Sequence, residues 1–186
     1  FGATGGVMEA ALRTVIELIT GKQVEDFYDH ADIVPVRGFE GSRIAELTID
    51  EVGPVPELIQ HLVPSWDWVK GATLKVGICH GTANAKKVLE DIKAGGPFSE
   101  CHFIEFMACP GGCLGGGGQP IPTSAEIRAK RANAIYQEDA DSEVRKSHEN
   151  AVVLEIYSEF LTDGPCGHKA HELLHTHYTP RGKFIA

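Results

Sequence analysis

The sequence of 186 residues predicts an α/β fold followed by a helical tail. One reason is the alternating apolar pattern at Leu74, Val76 and Ile78, typical of a strand, which runs directly into a helical pattern at residues 83–94. The other is that helical periodicity dominates from residue 123 onward. We therefore predict an α/β lobe at residues 1–122 and a helical tail at residues 123–186.

The lobe opens with a predicted helix and continues with short strands. Apolar residues recur at helical spacing after Gly5 and Gly6, and Gly21 is a stop signal. Strands are then predicted around a turn at residues 37–38. They are marked by spaced aliphatic residues: Val34, Val36, Ile44, Leu47 and Ile49.

Residues 50–71 are predicted to be an irregular insertion, with a short helix at residues 57–62. Pro54, Pro56 and Pro64 interrupt any regular pattern there. Trp66 and Trp68 follow the last proline, and in an acidic chain we interpret them as anchors of a surface loop rather than as a stacking site for a base or flavin.

The last predicted strand covers residues 102–107, and we expect it to be buried. The tail then contains a highly charged helix from residue 123 through about 149 and a second helix at residues 151–161. Gly164 and Pro165 break that helix, and a final helix is predicted from about His168 to His175.

Composition excludes several classes of protein. Lys and Arg number 17 against 26 Asp and Glu, a net charge of −9, which argues against binding nucleic acid or an anionic membrane. No apolar run reaches the length of a membrane span, about 18–20 residues.

Five unevenly spaced cysteines fit a reducing compartment better than a disulfide framework, so we expect a cytoplasmic protein. The start at Phe1 lacks a Met or signal segment, and we interpret it as a cut, a processed end or an ordering boundary.

Cys109 and Cys113 are the leading candidates for metal ligands. Their spacing is predicted to place two thiolates on one side of a helical turn, facing one soft metal centre. Six glycines surround them, at 111, 112 and 115–118, so the backbone can approach a bulky cluster and donate N–H groups to its sulfur atoms. A glycine-rich turn with two incidental cysteines stays open as an alternative. Zinc would need further ligands, and the chain has no second Cys pair of this kind.

The segment FIEFMACPGGCLGGGGQP at residues 103–120 resembles the third signature of the iron-only (FeFe) hydrogenases. The opening FGATGGVMEAALRT at residues 1–14 resembles the segment that follows the family's second signature. Residues 37–38, KSHEN at 146–150 and AHELLH at 170–175 also match. The resemblance therefore covers nearly the whole chain and is weakest at about 50–71.

The resemblance implies the C-terminal lobe of the H-cluster domain, a mixed sheet flanked by helices. The H-cluster is a 4Fe–4S cubane joined to a di-iron unit with carbonyl, cyanide and dithiolate ligands. By resemblance, Cys109 binds the cubane and Cys113 links the cubane to the di-iron unit. Met107 would line the pocket, and Phe1 and Gly2 would pack against the di-iron side.

The resemblance also implies which parts of the site are supplied from outside these residues. Two further cubane cysteines, the proton-relay cysteine and a cyanide-contacting lysine belong to signatures that are not in these residues. We therefore expect the N-terminal half of the catalytic subunit as a partner and no catalytic residue on this chain alone. Additional iron–sulfur clusters on that half, ferredoxin, and NAD(P)- or flavin-binding subunits are the implied electron partners, with formate coupling as a further option. Three cysteines, Cys79, Cys101 and Cys166, fall outside the motif and are expected to be unliganded thiols.

Two rival functions remain open at this point. Narfilin-like iron–sulfur assembly proteins carry a similar Cys–x3–Cys glycine segment without hydrogen chemistry. The HELLH segment at residues 171–175 also matches the HExxH pattern of zinc hydrolases. Only eleven residues follow it, which leaves little room for a third ligand, so we expect its histidines to cap, hydrogen-bond or face solvent.

For His148 we expect a capping or ion-pair role rather than acid–base chemistry.

Overall fold

The computed structural model describes residues 1–23 and 36–182. A three-stranded sheet forms its centre, in the order β1 (Ser42–Thr48), β2 (Thr73–His80) and β3 (Phe103–Met107). β1 pairs antiparallel with β2, and β2 pairs parallel with β3, so the sheet is mixed. The α/β class expected from the sequence is confirmed. Val34, which was assigned to a strand, lies outside the described residues.

Within residues 1–23 and 36–182, five α-helices accompany the sheet: α1 (Gly6–Thr20), α2 (Thr82–Lys93), α3 (Ala125–Asp141), α4 (Ala151–Glu155) and α5 (His168–Leu174). α4 continues into a π-helical turn at Ile156–Phe160. The charged helix predicted through residue 149 ends earlier, at Asp141. Ser142 is extended there, and its hydroxyl donates to the Glu138 carbonyl at 2.8 Å, which satisfies one of the last helical acceptors. No helix among the described residues has both the length and the apolar character needed to cross a bilayer.

The main core lies between α1 and the first two strands. Met8 and Leu12 of α1 pack with Val76 and Ile78 of β2, and these side chains are at most 4% exposed. Burying side chains of this size contributes about 1.5–3 kcal/mol each. This core fixes α1 on the sheet, and therefore fixes the direction in which residues 1–5 leave the helix.

The segment at residues 50–71 is irregular, as predicted, but only one of its tryptophans anchors it. Trp66 packs against Ile49 and Val69 and is 8% exposed. Trp68, by contrast, is 76% exposed, and its indole N–H donates to the Ser65 carbonyl at 3.0 Å. The short helix predicted at residues 57–62 is a single 3₁₀ turn at Glu57–Ile59.

The prediction that the last strand is buried is wrong. Phe103 and Phe106 of β3 are 56% and 44% exposed, whereas Glu105 is 6% exposed. The reason is that β3 lies at an edge of the described sheet, where only one neighbouring strand covers it, so Phe103 and Phe106 are exposed on opposite faces. Glu105, by contrast, presents its carboxylate to the interior.

Candidate metal-ligand loop

The two candidate ligands lie on an irregular loop directly after β3. Cys109 is half-buried, Cys113 is exposed, and both are free thiols. The predicted helical turn between them is wrong, because Gly111 and Gly112 have φ of 80° and 82° and reverse the chain. A 3₁₀ turn begins only at Cys113. We call residues 108–118 the ligand loop.

Close packing explains why the loop is rich in glycine. A Cβ at Gly112 would lie 2.7 Å from Met107 Sδ and 2.8 Å from the Thr4 nitrogen, so no larger residue fits. A Cβ at Gly116 would lie 3.7 Å from Cys109 Sγ, and one at Gly117 would meet nothing within 4 Å. The Cys109 thiol therefore borders a surface that carries no side chains, as a bulky ligand requires.

The first residues of the chain pair with the ligand loop. The Thr4 N–H donates to the Gly111 carbonyl at 3.0 Å, and the Leu114 N–H donates to the Gly2 carbonyl at 3.3 Å. Together with the packing at Gly112, these bonds bring Gly2 and Met107 to the same place as the cysteines. Phe1 begins the paired segment and is 72% exposed. The structure thus brings the five residues that the sequence predicts for the site to the ligand loop and the segments next to it.

The sequence reasoning did not identify His80, a buried histidine that holds the ligand loop. His80 Nδ1 accepts a hydrogen bond from the Gly111 N–H at 2.7 Å, and Nε2 lies 3.2 Å from the Phe39 carbonyl. These two partners assign the proton to Nε2. A signal was available: β2 and β3 are parallel, so the residues at their carboxyl ends, His80 and Met107, meet at one edge of the sheet.

Two arginines of α3 approach the ligand loop from the tail. Arg131 donates to the Leu114 carbonyl and to the Pro120 carbonyl, each at 2.8 Å. The Arg128 side chain lies 2.9 Å from the position that a Cβ would take on Gly115. These contacts place two positive charges beside the loop that carries both cysteines.

Glu105 fixes the start of α1 against the sheet. Its two carboxylate oxygens accept from the Gly5 N–H at 2.7 Å and the Met8 N–H at 2.8 Å. These N–H groups have no helical partner, and a negative charge there is favoured by the helix dipole. The buried carboxylate of β3 therefore positions the segment that pairs with the ligand loop.

A second set of charges joins α1 to α3. Arg13 of α1 forms ion pairs with Glu9 at 2.5 Å and with Asp139 of α3 at 2.7 Å, and only 7% of its side chain is exposed. Arg145 reaches Asp139 at 2.9 Å. Burial acts to raise the pKa of Asp139, but the hydrogen bonds from Arg13 and Arg145 outweigh it and lower this pKa to about 2.

The three cysteines outside the ligand loop, Cys79, Cys101 and Cys166, form no disulfide. Cys79 is buried, and that burial raises the pKa of its thiol. Burial is also the main reason why the pKa of the Cys101 thiol is raised. Cys166 is exposed.

The structure also confirms the expected ion-pair role of His148. Its Nε2 lies 2.7 Å from a Glu17 carboxylate oxygen, and the Lys146 ammonium lies 2.5 Å from the other. Glu17, His148 and Glu149 place ligand atoms close enough for a metal, but Lys146 bridges Glu17 and Glu149. An ammonium group therefore already supplies the positive charge at this cluster.

Family comparisons cover almost the whole chain in two parts. The family described as "Iron only hydrogenase large subunit, C-terminal domain" matches residues 1–117. The family described as "Iron hydrogenase small subunit" matches residues 125–181.

Individual hydrogenases are also similar to this chain, over most of its length. The NADP-reducing hydrogenase subunit HndD of Solidesulfovibrio fructosivorans is 41% identical over 97% of this chain, and the periplasmic Fe hydrogenase large subunit of Nitratidesulfovibrio vulgaris is 44% identical over 73%. The match covers 26% of each relative, so the chain spans about a quarter of their length. A solved structure of apo FeFe-hydrogenase HydA1 from Chlamydomonas reinhardtii superimposes on 96% of this chain and 45% of that one, with a TM-score of 0.67 and 42% identity.

The assembly-factor relatives match a smaller part of the chain. A probable cytosolic Fe–S cluster assembly factor of Drosophila willistoni is 37% identical over 56% of this chain and 21% of its own length. That is a weaker similarity than the one to HndD.

Proposed function

The chain belongs to the iron-only hydrogenase large-subunit family, and from this membership we propose that it supplies half of the protein ligands of an H-cluster. The proposed activity of the complete subunit is the reversible interconversion of protons and electrons with dihydrogen. Within it, Cys109 serves as a cubane ligand and Cys113 as the thiolate shared between the cubane and the di-iron unit.

The observation that carries this proposal is the fixed presentation of two free thiols. The ligand loop is held from three directions, by His80 of β2, by Arg131 of α3 and by the paired residues 1–4. Cys113 is exposed at the same loop. A 4Fe–4S cluster normally takes four cysteine ligands, so two thiolates fit as half of a set. Because the relatives are about four times longer than this chain, a preceding segment is the natural source of the other half.

The residues around the loop fit this group chemically. Thiolates are soft donors that suit iron, and the side-chain-free surface beside Cys109 admits a bulky cluster. When bound, the cluster supplies the redox chemistry of dihydrogen. Met107 and the main chain of Gly2 line the loop on one side. Arg128 and Arg131 contribute positive charge that offsets the charge of the thiolates.

We further propose that electrons are exchanged with ferredoxin or NAD(P) through clusters and subunits outside this chain, in the cytoplasm. Similarity to a subunit named as NADP-reducing, over 97% of the chain, supports the NADP-linked route. Another relative is named periplasmic, so cell fractionation is the direct test of location. Recovery of the subunit in the periplasmic fraction would refute the cytoplasmic assignment.

Cysteine substitutions in the matured full subunit test the proposed function. We expect Cys109→Ser and Cys113→Ser to lose hydrogen uptake and evolution, together with the infrared bands of iron-bound carbonyl and cyanide. Cys101→Ser and Cys166→Ser are matched controls, because both thiols are free and lie outside the ligand loop. Full activity in Cys113→Ser would contradict the proposed shared thiolate. Absence of the carbonyl and cyanide bands from the matured wild type would instead favour an assembly role.

A further inference from the structure

Three histidines gather at the end of α5, outside the ligand loop. The rings of His171 and His175 stack with centroids 4.5 Å apart, and the ring of His177 meets His171 edge-on at 5.8 Å. All three residues are exposed. They account for three of the nine histidines in the chain, and the proposed hydrogen chemistry does not use them.

Backbone geometry explains why the three rings converge. His171 and His175 are four residues apart, so they lie on one face of the last helical turn. The helix ends at Leu174, and His175 is already extended, with φ −107° and ψ 129°. In extended chain, alternate residues point to the same side, which places His177 on the same side as His175. The ring of His177 thereby reaches His171, so a third histidine lies beside the HExxH pattern.

The first turn of α5, from which the histidines project, is held by contacts with neighbouring residues. Ala170 is 2% exposed. The Lys169 N–H donates to Asp163 at 2.9 Å, and the Lys169 ammonium donates to the Phe160 carbonyl at 2.7 Å. These contacts fix the start of α5, so the histidines project from a positioned helix.

Two of the ring separations are close to the value that one bound metal ion would impose. With Zn–N bonds of about 2.0–2.1 Å and tetrahedral angles, two bound imidazole rings have centroids about 5 Å apart. The observed separations of 4.5 Å and 5.8 Å lie on either side of that value. In the observed rotamers the three ring nitrogens do not converge on one point, so binding one ion requires the side chains to rotate, which their exposed positions permit.

We propose that His171, His175 and His177 bind one divalent transition-metal ion of the borderline class, with Zn²⁺ as its representative. Neutral imidazole is a preferred donor for such ions. Water completes the coordination of this exposed site. This three-histidine site is separate from the proposed iron site. It gives the HELLH segment, for which the sequence predicted only capping, hydrogen-bonding or solvent-facing histidines, a metal-binding role.

Equilibrium dialysis of the natural full-length subunit against Zn²⁺, with element-specific metal analysis, tests the proposal. We expect His171→Gln/His175→Gln to bind one Zn²⁺ fewer per chain than the wild type. His177→Gln should weaken binding of that ion by about tenfold, the loss of one of three donors. His61→Gln and His102→Gln are matched controls at other positions, and both should bind as the wild type does. Far-UV circular dichroism checks that each variant is folded, as expected for exposed positions.

An unchanged Zn²⁺ stoichiometry and affinity in the double variant would overturn the site. Unchanged affinity in His177→Gln would overturn the three-histidine arrangement. Iron content and hydrogen activity of the same samples are measured separately, and they should not differ from the wild type.

Discussion

One buried imidazole determines where the backbone of the ligand loop lies. His80 is 7% exposed, accepts from the Gly111 N–H, and contacts Phe39 on its other nitrogen. No water can replace Nδ1 without entering a packed site, so the bond is costly to remove. His102 offers a comparison, because its Nδ1 also accepts a backbone N–H, from Lys75 at 3.1 Å, but at an exposed position.

We therefore predict that His80→Ala lowers the free energy of unfolding by about 1–3 kcal/mol, since it leaves the Gly111 N–H unpaired and buried. It should also lower the iron content of the matured subunit, because the ligand loop loses one of its supports. His102→Ala should change the stability by less than about 0.5 kcal/mol. Urea unfolding and iron analysis of both variants give the measurement. Equal effects of the two substitutions would contradict a specific role for His80.

At the scale of elements, two charged contacts decide how α1 meets its neighbours. Glu105 of β3 holds its first turn, and the ion pairs of Arg13 hold its middle against Asp139 of α3. Both contacts lie on the path between the helical tail and residues 1–4. The packing of α1 and α3 is therefore expected to influence the ligand loop.

Glu105→Gln tests the contact with the first turn of α1. The amide keeps one acceptor oxygen but turns an NH₂ group toward a backbone N–H, so we expect a loss of about 1–3 kcal/mol in stability. Glu46→Gln, on the exposed side of β1, is the control and should have little effect. Urea unfolding of the cluster-free protein measures both. A Glu105→Gln variant as stable as the wild type would show that the carboxylate does not hold α1.

Asp139→Asn tests the contact between α1 and α3 through its pH dependence. The folded pKa of about 2 lies below the ordinary value of 3.8, so ionised Asp139 stabilises the fold above about pH 4. That contribution, about 1–2 kcal/mol after screening, is lost as the pH falls toward 2. The Asn variant should be less stable at pH 7 and should lose less stability between pH 4 and 2.

Urea unfolding of the cluster-free protein across this pH range makes the comparison. Glu138→Gln, an exposed neighbour on α3, serves as the control and should follow the wild type. If the wild type and Asp139→Asn lose the same free energy of unfolding between pH 4 and 2, this pH dependence does not come from Asp139.

At the scale of the whole molecule, the proposed H-cluster site needs more ligands than this chain supplies. Cys109 borders a surface without side chains, and Cys113 and Phe1 are exposed on the same loop and on the segment paired with it. The chain spans about a quarter of its relatives, which leaves room for the remaining ligands outside these residues.

We predict that this chain, produced alone with the maturation proteins, does not retain an H-cluster, because two thiolates cannot hold a cubane by themselves. Co-production with the N-terminal half of the subunit should restore iron content and the carbonyl and cyanide infrared bands. The matched control is the same pair of polypeptides with Cys109→Ser and Cys113→Ser. Stable cluster binding at normal occupancy by the chain alone would refute the need for a partner.

The sequence by itself determined the α/β class, the approximate positions of the α-helices and the cysteine pair with its glycines, because periodicity and motif spacing are local properties. Only the tertiary structure decided which polar groups support them. His80 lies 31 residues from Gly111, Glu105 lies 100 residues from Gly5, and Arg13 lies 126 residues from Asp139. Such partners depend on strand register and helix packing, which bring distant residues together. For the same reason the sequence wrongly predicted a buried β3 and a helical turn between the cysteines: an edge position and two left-handed glycines are consequences of the assembled fold.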